Sequence, residues 1–221
     1  MKDRGFEEIK TKNGKFKMPK WMDCAWKRVS CEKDSCPICG RIKKDHQKHI
    51  ERGEDADSIE SAFEDIAGNF KETLELIKKD CETKGIELTN VDNIKEPPEP
   101  EKFPLYNRVN KWRNLVLNLE ESLEDDIYYH TEAAADLFWY VNILASKIYR
   151  QLTNKWEIKH GDKYGDVDYK YTGCVIKECL KILKKSLRDL SLFNLEQKVG
   201  LMLIHDKLLN LEKEIFKNLT L

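Results

Sequence analysis

The sequence predicts a mainly α protein: a small cysteine-rich N-terminal module, one further helix, a proline-rich connector and an antiparallel bundle of about four long helices. Three observations support this fold class. Four cysteines fall within sixteen residues, between positions 24 and 39. Apolar residues recur at intervals of three and four through five later segments, which is the spacing of amphipathic helices. The composition combines 40% hydrophobic with 36% charged residues, which suits helices with one buried stripe.

These patterns divide the chain into four segments. Residues 1–56 form a basic metal-binding module, and residues 57–95 form an amphipathic helix with a linker. Residues 96–104 form the proline-rich connector, and residues 105–221 form the helical bundle. The length of 221 residues accommodates a small module together with one domain of ordinary size.

The cysteines of the first segment have the spacing of a metal site. Cys24, Cys31, Cys36 and Cys39 give the pattern C-x6-C-x4-C-x2-C. The run Cys36-Pro37-Ile38-Cys39-Gly40 resembles the CPxCG knuckle of zinc ribbons and rubredoxins, in which backbone donors point at the sulfurs. Four thiolates complete the tetrahedral shell that Zn²⁺ prefers. The pattern therefore predicts a structural Zn²⁺ with no vacant position for an activated water.

Two other ligand arrangements remain open for this segment. In the first, His46 and His49 replace Cys24 and Cys31 as zinc ligands. In the second, the four cysteines hold a 4Fe-4S cluster, which also requires four thiolates in a loop. The cysteine spacing resembles the cluster loop of some DNA glycosylases, although the intervals fall in a different order.

The first fifty residues are also strongly basic, with fourteen Lys or Arg and seven Asp or Glu, whereas the whole chain has a net charge of −1. Cations interspersed with aromatic rings are typical of nucleic-acid binding surfaces. The alternative is that the cations pair with the chain's own acidic residues and that the tryptophans pack around the metal module. The possible nucleic-acid contacts are Lys15, Lys17, Lys20, Trp21, Trp26, Lys27, Arg28, Arg41, Lys43, Lys44 and Lys48.

The second segment contains one long amphipathic helix between Asp57 and Gly85. Asp57 or Ser58 offers the N-cap oxygen, and Gly85 can adopt the left-handed conformation that ends a helix. Cys81 completes the apolar stripe, so we expect it to be a core residue and not a ligand. The stripe consists of Ile59, Phe63, Ile66, Phe70, Leu74, Ile77 and Cys81.

The connector is rich in proline, which fixes φ and disfavours helix in the preceding residue, so we expect a stiff extended segment. Four helical patterns follow it. They cover about 105–124, 127–152, 173–193 and 201–219. The second of these is apolar around more than half of its circumference, which predicts a position at the centre of the bundle.

The residues between the second and third of these helices, 154–171, form a long predicted loop, and long ordered loops are often functional. His160, Asp162, Asp166 and Asp168 could form an acidic pocket there, although a packed loop that caps the bundle explains the same residues. A di-iron centre would need two Glu-x-x-His motifs on different helices. The chain has one, Glu157 with His160, so a di-iron centre is excluded.

These observations favour a non-enzymatic protein in which a structural zinc module and a bundle form an interaction surface for protein or nucleic acid. The alternative is an enzyme that uses an iron-sulfur cluster or the acidic His/Asp loop. The N-terminus lacks the apolar core of a secretory signal, and no apolar stretch reaches membrane-spanning length. We therefore expect a cytoplasmic location and no membrane partner. The oligomeric state and the identity of the partner stay open.

Overall fold

The computed structural model describes residues 9–11, 14–16, 19–85, 96–123, 127–161, 165–193 and 197–219. Six α-helices and one two-stranded hairpin lie within these ranges, so the predicted mainly α fold is confirmed. The chain separates into two compact units. One, which we call the module, is Trp21–Glu96; the other, which we call the bundle unit, comprises Met1–Lys20 and Pro97–Leu221.

The module contains two helices, α1 (Pro37–Glu51) and α2 (Ile59–Lys84). A 3₁₀ helix over Lys20–Ala25 precedes the cysteine loop. Ser58 caps α2, because its side-chain oxygen accepts a hydrogen bond from the Ser61 amide at 3.1 Å. Gly85 ends the same helix with a left-handed φ of 63°. Both capping residues were predicted from the sequence, and both are confirmed.

The apolar stripe of α2 departs from the prediction. Phe63 and Phe70 are each 65% exposed, and the other large apolar residues of the stripe are also exposed. Cys81 is half-buried, so its predicted place in a core is wrong. The physical reason is that α1 contacts the opposite, polar face of α2 through ion pairs, which leaves the apolar face turned outward.

The bundle unit contains four long helices: α3 (Pro104–Leu123), α4 (Glu132–Lys159), α5 (Gly165–Phe193) and α6 (Lys198–Leu219). Each packs against the next in the chain, and α6 closes the ring against α3. Helices α3 and α4 are antiparallel. Tyr106, near the start of α3, contacts Tyr149 in the second half of α4, whereas Arg113, further along α3, donates to Asn142, which lies earlier in α4. The predicted antiparallel bundle of four helices is therefore confirmed.

The bundle core is mainly apolar. The Trp112 indole Nε1 donates to the Ile204 carbonyl at 3.1 Å, so the ring is buried without leaving its polar atom unpaired. Pro104 occupies the first turn of α3, where its missing N–H costs no helical hydrogen bond. Core side chains with no exposed surface include Val109, Val116, Leu137, Leu144, Ile148, Ile176, Leu180, Leu183, Leu187, Leu201, Leu208 and Ile215.

Two expectations for the bundle were wrong. Helix α4 continues to Lys159 and α5 begins at Gly165, so the predicted long loop over 154–171 is mostly helical. Acidic residues in the first turn of α5 favour a helix N-terminus, which the loop prediction overlooked. In addition, α4 does not lie at the centre of the bundle, because Trp139 on its outer face is 44% exposed. It occupies one position in the ring, between α3 and α5.

A short hairpin was not predicted from the sequence. Strand β1 (Ile9–Thr11) pairs antiparallel with β2 (Gly14–Phe16), with Ile9 opposite Phe16. The sequence signal is the pair Asn13-Gly14, a dipeptide that favours hairpin turns. Strand β1 runs beside α5, so this hairpin belongs to the bundle unit.

Candidate metal centre

The four N-terminal cysteines converge in the module. Cys24 lies in the 3₁₀ helix, Cys31 in the loop, Cys36 at the N-cap of α1 and Cys39 in its first turn. All four Sγ atoms lie within 4.8 Å of one another, and those of Cys31 and Cys39 are 3.6 Å apart. A tetrahedral zinc with Zn–S bonds of about 2.3 Å would separate its sulfurs by about 3.8 Å. The thiols are free and their spacing fits a shared metal ion.

The backbone around Cys36 forms a tight turn that brings the second pair of cysteines together. The Cys36 amide donates to the Lys33 carbonyl at 3.0 Å, and the Gly40 amide donates to the Cys36 carbonyl at 2.8 Å. A Cβ atom at Gly40 would meet the Asp34 carbonyl oxygen at 2.2 Å, which is closer than any real contact. The knuckle therefore requires glycine at position 40.

The thiols differ in acidity. Burial raises the pKa of Cys39, but hydrogen bonds with Cys31, Cys36, Cys24 and Ser30 outweigh burial and lower that pKa to about 6. Burial raises the pKa of Cys24 to about 12. Metal binding needs thiolates, so Cys39 is the thiol that most readily supplies the first charged ligand.

Beyond the cysteines, α1 and α2 are joined by an ionic network. Arg41 donates to both carboxylate oxygens of Glu72, at 2.7 and 3.1 Å. Asp45 is buried and accepts from Arg41 at 2.9 Å, from Lys48 at 2.8 Å and from Asn69 at 3.3 Å. These hydrogen bonds outweigh burial and lower the pKa of Asp45. Charged residues of both helices line a cleft of about 610 Å³ here.

His49 is the second buried polar residue of this network, at 1% exposure. Its Nδ1 lies 2.7 Å from Glu54 and its Nε2 lies 3.0 Å from Asp65. Hydrogen bonds with these two carboxylates raise the pKa of His49, so the imidazolium form is favoured. His49, Glu54 and Glu64 also lie close enough to hold a cation. The Arg52 guanidinium already lies within 3.0 Å of all three side chains, so a positive charge is present without a metal.

The two histidines considered as alternative ligands have other partners. His49 pairs with carboxylates, and His46 lies 3.7 Å from Asp57. Among the residues that the structure describes, neither histidine joins the group of close sulfur atoms. The four cysteines form that group by themselves.

Four of the nine cations proposed to contact nucleic acid are paired with acidic groups, among them Arg41 with Asp45 and Glu72. Lys27 pairs with Asp23, Lys43 with Asp34, and Lys48 with Asp45. Trp26 is 2% exposed and offers no ring face to a base, whereas Trp21 is 41% exposed. Lys44 is exposed, and Lys20 and Arg28 have interactions of their own. Lys17 lies outside the described residues, and of Lys15 only its backbone place in β2 is described.

The three described residues of the proposed acidic loop, His160, Asp166 and Asp168, do not converge on a pocket. His160 stacks on Trp156 with ring centroids 3.9 Å apart and remains exposed. Asp166 pairs with Lys170 at 2.9 Å. Asp168 accepts from Arg150, Asn154 and Thr172, and thereby ties α4 to α5. Asp162 lies outside the described residues.

Asp45 and its ionic partners were not predicted from the sequence. A local signal exists, because Arg41 and Asp45 have the i, i+4 spacing of a helical ion pair. The spacing does not indicate that Asp45 is buried, because the burial of Asp45 depends on Asn69 and Glu72 of α2.

No match was found. The chain resembles no protein-family model, no curated protein and no solved structure at a significant level. None of the helices in the described part of the chain combines the length and apolarity that crossing a membrane requires.

Proposed function

We propose that this chain is a non-enzymatic binding protein whose module is built around one structural zinc ion. Cys24, Cys31, Cys36 and Cys39 would hold the ion. Four sulfur donors fill the tetrahedral shell, so the ion has no vacant position at which to activate water or a substrate. Free thiols in such a cluster also fit a reducing compartment, and we therefore place the protein in the cytoplasm.

The zinc would replace the apolar core that the module lacks. Among the described residues of the loop before α1, the one large apolar side chain that is fully buried is Trp26. Such a segment buries too little surface to offset the entropy of ordering its backbone. Metal binding contributes the missing free energy, since a site that is absent from the unfolded chain makes binding part of folding.

The binding surface we propose is the apolar face of α2, and this exposed face is the single observation that carries the proposal. Helix α1 occupies the polar face of α2, and the metal cluster lies at the start of α1. The long apolar face of α2 is therefore exposed to solvent, and Phe63, Ile66 and Phe70 are each more than 60% exposed. Contiguous exposed apolar surface of this kind is characteristic of protein interfaces. We favour a protein partner over nucleic acid for this reason.

Metal analysis of the full chain, purified without added metal or chelator, tests the zinc part of the proposal. We expect one zinc per chain and no visible absorption. Cys31→Ser should reduce the zinc content, and the matched variant Cys81→Ser, in the same module but outside the cluster, should retain it. Iron and sulfide in the cluster, with a brown protein after anaerobic purification, would instead favour the iron-sulfur enzyme.

A further inference from the structure

We infer that the apolar face of α2 binds the same face of a second copy of this chain, with the two helices antiparallel and centred on Phe70. The inference rests on the proposed function, because it assigns the protein partner to that face. The face consists of the stripe residues Ile59, Phe63, Ile66, Phe70, Leu74, Ile77 and Cys81.

The face is large enough for a stable interface. Its six large side chains are between 48% and 66% exposed, and each has on the order of 100 Å² of apolar surface left to bury. A pair of copies would therefore bury roughly 1,200 Å², which exceeds the ~1,000 Å² expected of a specific interface. The face is also accessible, since α1 is bonded to the other side of α2.

The spacing of the stripe is symmetric about its centre. Reading outward from Phe70, the apolar positions follow intervals of four, three and four residues in both directions. An antiparallel second copy centred on this residue would set Phe63 beside Ile77 of the partner subunit, and Ile66 beside Leu74 of the partner subunit. Every apolar residue of the stripe would then lie opposite an apolar residue of the partner subunit, as expected for an isologous interface.

Two charged residues beside the stripe, Glu60 and Lys78, can pair with each other across the interface only in the antiparallel orientation. Glu60, Lys71 and Lys78 lie along one flank of the apolar face at helical spacing. In a parallel pair, this flank would face the opposite flank of the partner's helix, so Glu60 and Lys78 would not meet across the interface. In the antiparallel pair the same flanks meet, so Lys71 lies near Lys71 of the partner subunit at the centre, and Glu60 approaches Lys78 of the partner subunit, within about two residues of direct opposition. Two such ion pairs form per dimer, and antiparallel helix dipoles also attract each other.

Sedimentation equilibrium of the zinc-loaded full chain tests the inference. We expect a dimer at micromolar concentration. Phe70→Glu should weaken the dimer more than 100-fold, because it would bury two facing carboxylates. The control Leu76→Glu makes a comparable change on the same helix, at a residue that is 67% exposed but lies off the stripe. This control should remain dimeric.

Charge reversal tests the orientation. Glu60→Lys and Lys78→Glu should each weaken the dimer about fivefold to tenfold, because each replaces attraction with repulsion. The double variant should restore the wild-type dissociation constant. Lys79→Glu, a matched charge reversal on the far side of the helix, should have little effect. Additive weakening in the double variant would contradict the antiparallel pairing.

The failure of this inference is distinguishable from the failure of the proposed function. A monomer at 100 μM that retains one zinc per chain would overturn the pairing of two copies and leave the zinc module intact. A protein without zinc would overturn the proposed function whatever its oligomeric state. Dimers that persist in Phe70→Glu would also overturn the inference, since they would form through another surface.

Discussion

The two units of this chain differ in the side chains that they bury. The bundle unit buries long rows of Leu, Val and Ile, many with no exposed surface. Among the described residues of the module, the buried side chains are those of Trp26, Cys36, Cys39, Asp45, His49 and Ser61, and the apolar stripe of its longest helix is exposed. An amphipathic pattern therefore identifies a helix in both units, but in the module it does not identify the buried face.

The difference in buried side chains implies a difference in what stabilises each unit. The bundle gains stability from apolar area removed from water, which needs no cofactor and changes little with pH. The module contains the cysteine cluster, which we propose holds zinc, and charged hydrogen bonds between α1 and α2. Removing metal or changing protonation should therefore act on the module and leave the bundle intact.

Chelation of zinc should give the largest contrast between the units. Structural zinc contributes about 10–16 kcal/mol of binding free energy in small zinc peptides, so its removal should unfold the cysteine loop and release α1. Hydrogen-exchange mass spectrometry should show loss of protection in residues 21–58 and unchanged protection in α3 to α6. Adding zinc back should restore the module. Equal loss of protection in both units would show that the bundle also depends on the metal.

Truncation of the bundle core should give the converse result. Leu183→Ala removes a side chain with no exposed surface and should lower the free energy of unfolding of the bundle by about 2–5 kcal/mol. The zinc content of the module should not change. Leu192→Ala serves as the control, since that side chain is 65% exposed and should cost little. Thermal unfolding followed by circular dichroism, together with metal analysis, measures both effects.

Of two glycine substitutions in the module, one should weaken zinc binding and the other should stabilise α2. Gly40→Ala places a methyl group 2.2 Å from the Asp34 carbonyl and should distort the knuckle, weakening zinc binding by about 1–3 kcal/mol. Gly68→Ala meets no atom within 4 Å and should stabilise α2 by about 0.5–1 kcal/mol. Competition with a chelating dye measures the first change, and urea unfolding measures the second. Wild-type zinc affinity in Gly40→Ala would show that the turn tolerates a side chain.

The smallest expected effect is the pH dependence of the contact between α1 and α2. Hydrogen bonds with Glu54 and Asp65 raise the pKa of His49, so its stabilising contribution is complete below the unfolded value of about 6.5. That contribution is lost as the pH rises through the folded value. Protection factors in the first half of α2 should therefore decrease as the pH rises above about 6.5.

Histidine variants and a direct titration check this assignment. His49→Gln should remove the pH dependence of α2 protection, whereas His46→Gln, which alters the half-buried neighbouring histidine, should preserve it. An NMR titration of the His49 ring should give a midpoint above 6.5. A midpoint at or below that value would show that the two carboxylates do not stabilise the imidazolium form.

The features that could be predicted from the sequence depend on spacing within one element. The cysteine cluster, the caps at Ser58 and Gly85 and the four bundle helices follow from residue type and local periodicity. The burial of Asp45 and His49 does not, because it depends on ionic partners supplied by α2. The extension of α4 and α5 into the predicted loop was missed for a different reason, because the acidic residues in the first turn of α5 are a local helix signal that the loop prediction overlooked.

X-ray absorption at the zinc edge tests the central claim most directly. If four cysteines hold a structural zinc, the spectrum of the full chain should show four sulfur neighbours at about 2.3 Å and no light-atom ligand. Cys31→Ser should change the shell to three sulfurs and one oxygen or nitrogen. A wild-type shell with fewer than four sulfurs, or the absence of zinc from the protein, would contradict the closed four-cysteine site.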